Sequence, residues 1–437
     1  MAPAPDTSSE AGGGSADRRG LIAWCFYDWA NSPFPTVVVT FVFAAYFTTT
    51  LAETPEAGTG LWGQAMALSG LAVALLAPIL GALADQGGRR KPWIGGFTAL
   101  AVLCAAGLWW VEPDPGFALL ALVLVGLGNA AFELGQVFYN AMLPEVAGAR
   151  RLGRISGWAW GLGYAGGLVC LALSLVLFVQ PEAPIFGLDK DAAEQVRATG
   201  PFVALWFAVF ALPLFLYTRD GPGSGVPGGI PAGQALRQGL ASLLATLRGL
   251  PRHGQIGRFL LARMIYTDGL NTLFAFGGIY AAGTFGMSFE EILKFGILLN
   301  VAAGLGAVGF AWMDDRLGAK PTIMVSLVGL TVAGVAILVV ETPVWFVVFG
   351  CGIGLFIGPA QAASRSLMAR LAPPEVRGEL FGLYALSGKA TAFVGPALVG
   401  WVTVWADSQR AGMATIPIFF LVGLILLWPL KDPSAQE

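Results

Sequence analysis

Charged residues are scarce in this chain. They make up 12% of its 437 residues, whereas hydrophobic residues make up 56%, and the mean hydropathy is +0.70. Soluble domains carry roughly 25% charged residues. The deficit excludes an ordinary soluble globular protein and indicates that lipid surrounds most of the chain.

Residues that build metal centres and nucleophilic sites are equally few. The only histidine is His253, and the four cysteines, Cys25, Cys104, Cys170 and Cys351, lie on different apolar segments. This spacing matches neither a metal site nor a disulfide framework, so we expect four small, buried cysteines. The P-loop pattern Gly-x4-Gly-Lys-Ser/Thr and any nucleic-acid-binding module are absent from the sequence. We therefore expect no enzyme activity, no cofactor, no bound metal and no nucleic-acid partner.

What the sequence has instead is long apolar runs. A membrane-spanning helix needs about 20 predominantly apolar residues, and about twelve runs approach that length. They lie near residues 21–51, 60–83, 93–111, 117–142, 155–180, 201–217, 257–285, 292–312, 321–340, 344–369, 379–405 and 412–430. The sequence therefore predicts an all-α membrane protein with twelve transmembrane helices.

Three patterns occur twice, once in each half of the chain, and the first two pairs are offset by 230 residues. The pairs are Gly81–Pro92 with Asp314–Pro321, Pro144–Val146 with Pro374–Val376, and Tyr27–Asn31 with Tyr266–Asn271. A duplicated apolar chain is typical of transporters built from two related bundles. We therefore predict two pseudo-symmetric six-helix bundles.

Basic residues divide unevenly between the two sides of this predicted bundle. Eighteen lysines and arginines fall on the side of the N-terminus, and four fall on the other side, namely Lys190, Arg197, Lys294 and Arg410. Because lysine and arginine concentrate in cytoplasmic loops, we predict that both termini are cytoplasmic.

Five segments follow from these patterns. They are a disordered cytoplasmic tail at 1–20, an N-terminal bundle at 21–218, a cytoplasmic linker at 219–255, a C-terminal bundle at 256–431 and a short tail at 432–437. Leucines at helical spacing predict an amphipathic helix within the linker. That helix either lies on the cytoplasmic leaflet or packs under the loops of the bundle.

Four ionisable residues lie deep inside the predicted helices. Asp28, Glu133, Asp268 and Lys389 are nine or ten residues from a helix end, which places them about 13–15 Å into the membrane at about 1.5 Å per residue. Intramembrane charges of this kind are candidates for substrate or proton binding. The alternative is that each forms a purely structural pair between helices.

Polar neighbours extend these candidates into a larger predicted site. Asn31 lies three residues after Asp28, and Asn271 lies three residues after Asp268. At this spacing the two residues of each pair share one helix face. We expect substrate or proton contacts from these four residues, from Gln361 and Lys389, and from a rim of two tyrosines, Tyr27 and Tyr266.

A second set of polar residues suggests a gate between the halves. Glu133, Gln136 and Asn140 form one stripe of the fourth helix, and Arg365 lies on the tenth, pseudo-equivalent helix. We hypothesise that a Glu133–Arg365 ion pair forms in one state and breaks in another. Lys389 is either a partner for a substrate carboxylate, the counter-ion of Glu133 or Asp268, or half of a structural pair.

The duplicated loop carries a third group of candidates. Its residues are Asp85, Gly88, Arg89 and Arg90 in the first copy, and Asp315, Arg316 and Gly318 in the second. A carboxylate at such a helix end can accept hydrogen bonds from helix N-terminal amides and arginines of the other bundle. We expect these contacts to lock one conformation, and the alternative is a solvated turn.

The segment Gly81–Arg90 resembles the signature loop of the major facilitator superfamily, with Gln86 where arginine is usual. A more specific resemblance is to the vacuolar-effluxer-like branch, the autophagy-related effluxers of fungi and their bacterial relatives. The matching segments are Tyr27–Ser32, Gly163–Gly167, Tyr266–Thr272, Gln361–Ser366 and Phe381–Lys389. The resemblance implies the superfamily fold with a central cavity. Because the fungal members are associated with amino-acid export from the vacuole, it also implies an amino-acid substrate.

These observations lead to one main expectation and two alternatives. We expect an alternating-access secondary transporter for a small polar solute, with an amino acid as the implied cargo and protons as a candidate coupling ion. A multidrug or metabolite exporter is the first alternative, and a non-transporting membrane sensor or scaffold is the second. We expect a monomer in the lipid bilayer of a bacterial inner membrane, with a small-molecule substrate as its partner.

Overall fold

The structure is a computed structural model that describes residues 16–87, 89–182, 185–220, 237, 241–246, 248 and 254–431. The predicted tail at 432–437, most of the predicted linker with its amphipathic stretch, the single histidine and Gly88 lie outside the described residues. Helix begins at Ala16, so the last residues of the predicted 1–20 tail are helical.

The N-terminal half contributes six membrane crossings. The helices are α1 (Ala16–Asn31, continuing in helical turns to Leu51), α2 (Pro55–Gly87), α3 (Lys91–Gly107), α4 (Ala118–Ala141), α5 (Leu152–Ser174) and α6 (Thr199–Tyr217). The first crossing widens into π-helix at Phe34–Phe41. Pro33 and Pro35 cause this change because neither residue can donate a backbone hydrogen bond.

The C-terminal half contributes six more crossings from seven helices. They are α7 (Gly254–Phe285), α8 (Phe289–Leu317), α9 (Ala319–Val339), α10 (Pro343–Leu371), α11 (Arg377–Ser387), α12 (Val394–Ala406) and α13 (Thr415–Leu427). The run at 379–405 was expected to be one helix, but it is two helices, α11 and α12, separated by turns at 388–393. Lys389 lies in this break.

Ten helices of the described chain are long and apolar enough to cross a membrane. The sequence explains why the other two crossings lack a single helix that is long and apolar enough. The α7 helix carries Arg258, Arg263 and Asp268 within its length, and the eleventh crossing is divided between α11 and α12. The chain is therefore an all-α membrane protein of twelve crossings, and the fold prediction is confirmed.

Two pairs of helices make the most extensive contacts between the halves, and they are related by the sequence duplication. The α2 helix packs on α11, and α5 packs on α8. Glycines allow this close approach, because a Cβ atom on Gly157 of α5 would lie 2.5 Å from the Ala307 carbonyl oxygen of α8. Small residues at helix crossings let backbones pack directly in a membrane protein.

The bundle has two distinct faces. We call the side where α1 begins and α13 ends the terminal face, and the opposite side, with the loop after Leu51, the open face. Near the terminal face, the backbone amide of Lys431 donates to Gln255 Oε1 at 2.9 Å, which joins the chain after α13 to the start of α7.

Three of the cysteines, Cys25, Cys104 and Cys170, are buried as expected, and Cys351 is half-buried.

Candidate functional site

A central cavity of about 1210 Å³ lies between the two halves. It is lined by Asp28, Arg365 and Lys389, among others, and its walls extend to Thr50 at the end of the first crossing and Leu338 at the end of α9. Both of these ends belong to the open face. The cavity is therefore accessible from the open face and ends near the middle of the bundle.

An ion pair between Asp28 and Arg365 forms the floor of this cavity. Arg365 Nη1 donates to Asp28 Oδ2 at 3.0 Å. The Arg365 side chain is 3% exposed, and the Asp28 side chain is 8% exposed. The guanidinium also donates to Asn140 Oδ1 at 3.2 Å and, on α5, to the Ser156 hydroxyl at 2.9 Å and its carbonyl at 2.7 Å. A buried pair with this many hydrogen bonds is geometrically fixed.

Three aromatic rings surround the same guanidinium. The Arg365 Cζ atom lies 5.1 Å from the Trp24 ring centre, 5.8 Å from that of Tyr139 and 5.7 Å from that of Trp160. Ring faces attract a cation at these distances. The Arg365 side chain thus holds parts of α1, α4, α5 and α10 together at one point.

A second ion pair lies in the cavity wall and is more accessible. Lys389 Nζ donates to Glu133 Oε1 at 2.8 Å, and both side chains are 28% exposed. Both residues line the cavity. In contrast to the floor pair, this pair joins the halves through one hydrogen bond while both groups retain access to the cavity.

Glu133 and Arg365 are not paired with each other in this conformation, and the hypothesis that they pair in another state stays a prediction. Arg365 reaches Asn140, which is seven residues, or about 10 Å, nearer the terminal face on α4 than Glu133. Glu133 instead lies at the level of the break between α11 and α12, where Lys389 meets it. Of the alternatives for Lys389, the structure has it as the counter-ion of Glu133.

Asp268 does not line the cavity. It is 2% exposed and points to the break in the eleventh crossing, where its Oδ2 accepts the backbone N–H of Gly395 at 3.2 Å. Asn271, one helical turn away, does line the cavity and donates from Nδ2 to the Gly388 carbonyl at 3.3 Å. Asp268 has no access to the cavity in this conformation, and its expected role in substrate or proton binding stays a prediction.

The remaining predicted contacts divide between cavity and interior. Asn31, Gln136, Gln361 and Tyr266 line the cavity. Gln361 Oε1 accepts the Tyr164 hydroxyl at 3.0 Å, and the Tyr266 hydroxyl lies 2.6 Å from Ser364 Oγ. Tyr27 instead shares a hydrogen bond of 2.7 Å with Thr98 on α3 and does not line the cavity in this conformation, so its expected place at the rim stays a prediction.

At the terminal face, the duplicated loop aspartates join the halves through backbone amides. Asp85 accepts the N–H groups of Gly378 and Glu379 in the first turn of α11, each at 2.9 Å. Asp315 accepts those of Gly153 at 2.9 Å and Arg154 at 3.3 Å in the first turn of α5. Anionic side chains are favourable at helix N-termini because amides and the helix dipole converge there.

Basic residues of the same loops complete the contacts. Arg154 Nε donates to Asp315 Oδ2 at 2.6 Å, Arg90 pairs with Glu145, and Arg377 of the other half reaches the same glutamate at 3.3 Å. Arg89 and Arg316 are exposed. Gly318, at the end of α8, has a φ of +101°, a conformation that favours glycine.

One stripe of site residues was missed by the sequence reasoning. Ser156, Trp160 and Tyr164 follow each other at a spacing of four on α5, so they share one face that meets Arg365 and Gln361. The signal available was this i, i+4 spacing of polar and aromatic residues on an otherwise apolar helix.

A family profile described as "Vacuole effluxer Atg22 like" matches residues 63–152 and 145–437. This is most of the chain. The chain belongs to the Atg22-like vacuole effluxer family.

Sequence relatives agree with this membership. The "Uncharacterized MFS-type transporter YxiO" of Bacillus subtilis is 26% identical over 424 residues, which cover 95% of this chain and 95% of the relative. "Autophagy-related protein 22" of Cryptococcus neoformans is 25% identical over 308 residues, covering 65% of this chain and 53% of the relative. This Atg22-like chain therefore spans about half the length of that fungal relative.

Solved structures share the fold at low sequence identity. The human organic anion transporter MFSD10 has a TM-score of 0.69 at 16% identity, covering 94% of this chain and 99% of that one. The proton:xylose symporter XylE has a TM-score of 0.70 at 14% identity, covering 97% and 99%. With its family and fold established, the Atg22-like chain is an integral membrane secondary transporter of the major facilitator superfamily and not an enzyme.

Proposed function

We propose that this transporter carries a small zwitterion, most simply an amino acid, and that Glu133 and Lys389 bind its two charged ends. The observation that carries the proposal is the contrast between the two ion pairs of the cavity. Asp28 and Arg365 are almost fully buried, whereas Glu133 and Lys389 are each 28% exposed to the cavity.

The floor pair is poorly suited to exchange with a solute. Arg365 has hydrogen bonds to Asp28, Asn140 and Ser156, and separating a buried pair leaves an uncompensated charge in a low-dielectric site. We assign it to holding the halves together, which makes it a structural strut of the closed terminal face.

The wall pair is well suited to exchange. It has one hydrogen bond, at 2.8 Å, and both groups face the cavity. A zwitterion can replace that bond without leaving a bare charge, because its ammonium pairs with Glu133 and its carboxylate pairs with Lys389. Binding then changes which groups hold α4 to the α11–α12 break, so the solute becomes part of the contact between the halves.

Polar groups around the wall pair extend the match to a zwitterion. The Asn31 side-chain nitrogen is buried in the described structure without a hydrogen-bond partner and lines the cavity. Gln136, Gln361 and Asn271 add amide groups nearby. Amide donors and acceptors can orient a carboxylate and an ammonium, whereas a purely aromatic lining typical of hydrophobic drugs would offer neither.

The transport cycle follows from the placement of the contacts between the halves. The distribution of basic residues favours a cytoplasmic terminal face, and with that orientation we propose that this conformation is outward-facing. A protein of similar fold, the major facilitator superfamily transporter FucP, has been solved "in the outward conformation". We propose alternating access in which the Asp85 and Asp315 contacts close the cytoplasmic side and release when the cavity opens there.

Counterflow in proteoliposomes tests the substrate class. Purified protein is reconstituted with each amino acid in turn inside the vesicles, and exchange with the labelled amino acid outside is measured. We expect exchange of at least one amino acid, with loss in Glu133→Gln and in Lys389→Gln. A folded wild-type protein that exchanges no amino acid would overturn the substrate assignment.

The chain offers a matched control pair for this experiment. Glu290 and Lys294 form an i, i+4 ion pair at 2.6 Å on the open face, with side chains that are 75% and 68% exposed. Exposed pairs contribute little to stability, about 0–1 kcal/mol. Glu290→Gln and Lys294→Gln remove the same charges without touching the cavity, so we expect wild-type exchange from both.

A further inference from the structure

We propose that Asp268 is the proton-binding group that couples transport, and that it acts from a site separate from the solute cavity, inside the break of the eleventh crossing. The inference rests on the proposed function for its role in transport. The presence of a protonatable site does not depend on which solute is carried.

The first observation is an incomplete hydrogen-bond set on a buried carboxylate. Asp268 is 2% exposed, and its Oδ2 accepts one backbone N–H, from Gly395 at 3.2 Å. Its Oδ1 is buried and has no hydrogen-bond partner in the described structure. A buried carboxylate oxygen without a donor is unfavourable when charged, and protonation at Oδ1 removes that charge.

The second observation is that no cation neutralises this carboxylate within the described residues. None of the ion pairs there includes Asp268, and α12 and α13, which pack beside it, carry no titratable side chain. The titratable groups on its other neighbouring elements have partners of their own. They are Arg365 with Asp28, Lys389 with Glu133, Arg263 with the Tyr384 carbonyl and Ser387, Arg410 with two carbonyls of the α9 end, Tyr384 under the Arg263 guanidinium, and Tyr266 with Ser364.

The third observation is the position of the carboxylate at a helix break. Asp268 accepts from the first turn of α12, and Arg263, on the same α7 helix, donates to the last turn of α11. An anion at a helix N-terminus and a cation at a helix C-terminus are both favourable. One helix therefore holds both ends of the break, with Lys389 between them.

Proton binding acts on this arrangement in a defined direction. A proton taken from the aqueous cavity and bound at Oδ1 converts Asp268 to the neutral acid. The hydrogen bond from Gly395 then loses its charge assistance, which weakens the attachment of α12 to α7. Residues 388–393 gain freedom, and Lys389 moves with them. The proton leaves to the other side of the membrane once the cavity opens there.

Infrared difference spectroscopy tests the site without any solute. Purified protein in lipid is titrated from alkaline to acidic pH, and the carbonyl stretch of protonated buried carboxylic acids is followed in potassium chloride. Other buried carboxylates contribute to this band, so we expect one component of it to be lost in Asp268→Asn and to return at a shifted pH in Asp268→Glu. The control is Asp407→Asn, which changes an exposed carboxylate in the loop after α12 and should leave the band unchanged.

Two results overturn the proposal. One is a wild-type protein with no titrating buried acid, a measurement that does not depend on whether any variant folds. The other is a carboxylic-acid band that is identical in the wild type and in a folded Asp268→Asn variant. If sodium chloride in place of potassium chloride suppresses the band at constant pH, Asp268 binds sodium competitively, and a sodium-driven flux would replace the proton assignment.

Flux measurements separate this inference from the substrate assignment. With an amino acid that the wild type exchanges, we expect Asp268→Asn to retain exchange but to lose accumulation driven by a proton gradient. Exchange with no gradient-driven accumulation in the wild type would overturn the coupling role. Absence of all amino-acid flux in the wild type would instead remove the proposed substrate, and the infrared result would still decide the proton site.

Discussion

Asp85 Oδ2 lies 2.9 Å from the backbone nitrogen of Glu379, across the boundary between the two halves. Asp315 Oδ1 lies 2.9 Å from the backbone nitrogen of Gly153 across the same boundary in the opposite sense. Each aspartate ends one helix and caps the first turn of another in the other half. The sequence duplication has thus produced two equivalent contacts across the terminal face, and we propose that they hold this face closed.

We predict that Asp85→Asn and Asp315→Asn each shift the protein toward a state open at the terminal face. Asparagine keeps one acceptor but loses the charge, and hydrogen bonds to charged groups contribute about 1.5–3 kcal/mol. A loss of about 1.4 kcal/mol changes the ratio of states about tenfold. The measurement is the distance distribution between spin labels at two exposed terminal-face sites, Arg89 and Glu375.

The double variant makes this prediction sharper. The two contacts share no partner, so their effects should add, and the long-distance population should be largest in the double variant. Asp407→Asn, on the open face, is the control. Identical distance distributions in wild type and double variant would show that these aspartates do not hold the face closed.

The buried pair between Asp28 and Arg365 leads to a prediction about stability. Arg365→Met leaves the Asp28 carboxylate buried and uncompensated, and removing one partner of a buried pair costs about 3–5 kcal/mol. Asp28→Asn added to Arg365→Met removes that charge and should recover part of the loss. Thermal unfolding midpoints in detergent measure both. A double variant no more stable than Arg365→Met alone contradicts the assignment of the pair.

The sequence predicts how deep in the membrane a residue lies better than it predicts which way the side chain points from its helix. Counting residues from helix ends placed Asp28 and Glu133 deep in the bundle, and the structure has both at the cavity. The same counting could not distinguish cavity from interior for Asp268 or Tyr27, because the rotation of a helix about its axis depends on packing with neighbours. Spacing rules relate residues on one helix and do not set the rotation of that helix.

The sequence also could not predict which residues of the two halves lie at the same level in the membrane. Glu133 and Arg365 occupy pseudo-equivalent helices, but Arg365 lies opposite Asn140, two turns from Glu133. The break between α11 and α12 occurs in an otherwise apolar run that contains Gly388, and only the unusual lysine beside it was a hint. The duplicated loops, in contrast, were recognisable because a repeated motif at a repeated helix end imposes a repeated geometry.

The contacts of Arg263 lead to a prediction about local flexibility. Its Nη1 donates to Ser387 Oγ at 2.7 Å and to the Tyr384 carbonyl, and its guanidinium lies 3.5 Å from the Tyr384 ring centre. Lysine cannot reproduce this planar fork, so Arg263→Lys should loosen the end of α11. We expect faster amide hydrogen exchange around residues 385–394, and unchanged exchange in α3. Equal protection in both proteins would mean that Arg263 does not hold the break.

The close packing of α2 on α11 leads to a prediction about a single added methyl group. A Cβ atom on Gly382 would lie 2.5 Å from Pro78 Cα and closer still to the Ala77 carbonyl, and backbone atoms cannot move aside. Alanine normally favours a helix over glycine by about 1 kcal/mol, so propensity alone would stabilise Gly382→Ala. We predict the opposite, namely separation of α2 from α11 and a longer distance between the labels at Arg89 and Glu375.

Gly400→Ala is the matched control for this variant, because a Cβ atom at Gly400 on α12 meets no atom within 4 Å. It makes the same helical substitution in the same crossing and should leave the label distances unchanged. If both alanine variants behave alike, helix propensity governs the result and the contact between α2 and α11 does not control the state. If only Gly382→Ala lengthens the distance, direct backbone packing at Gly382 is what lets the aspartate contacts form.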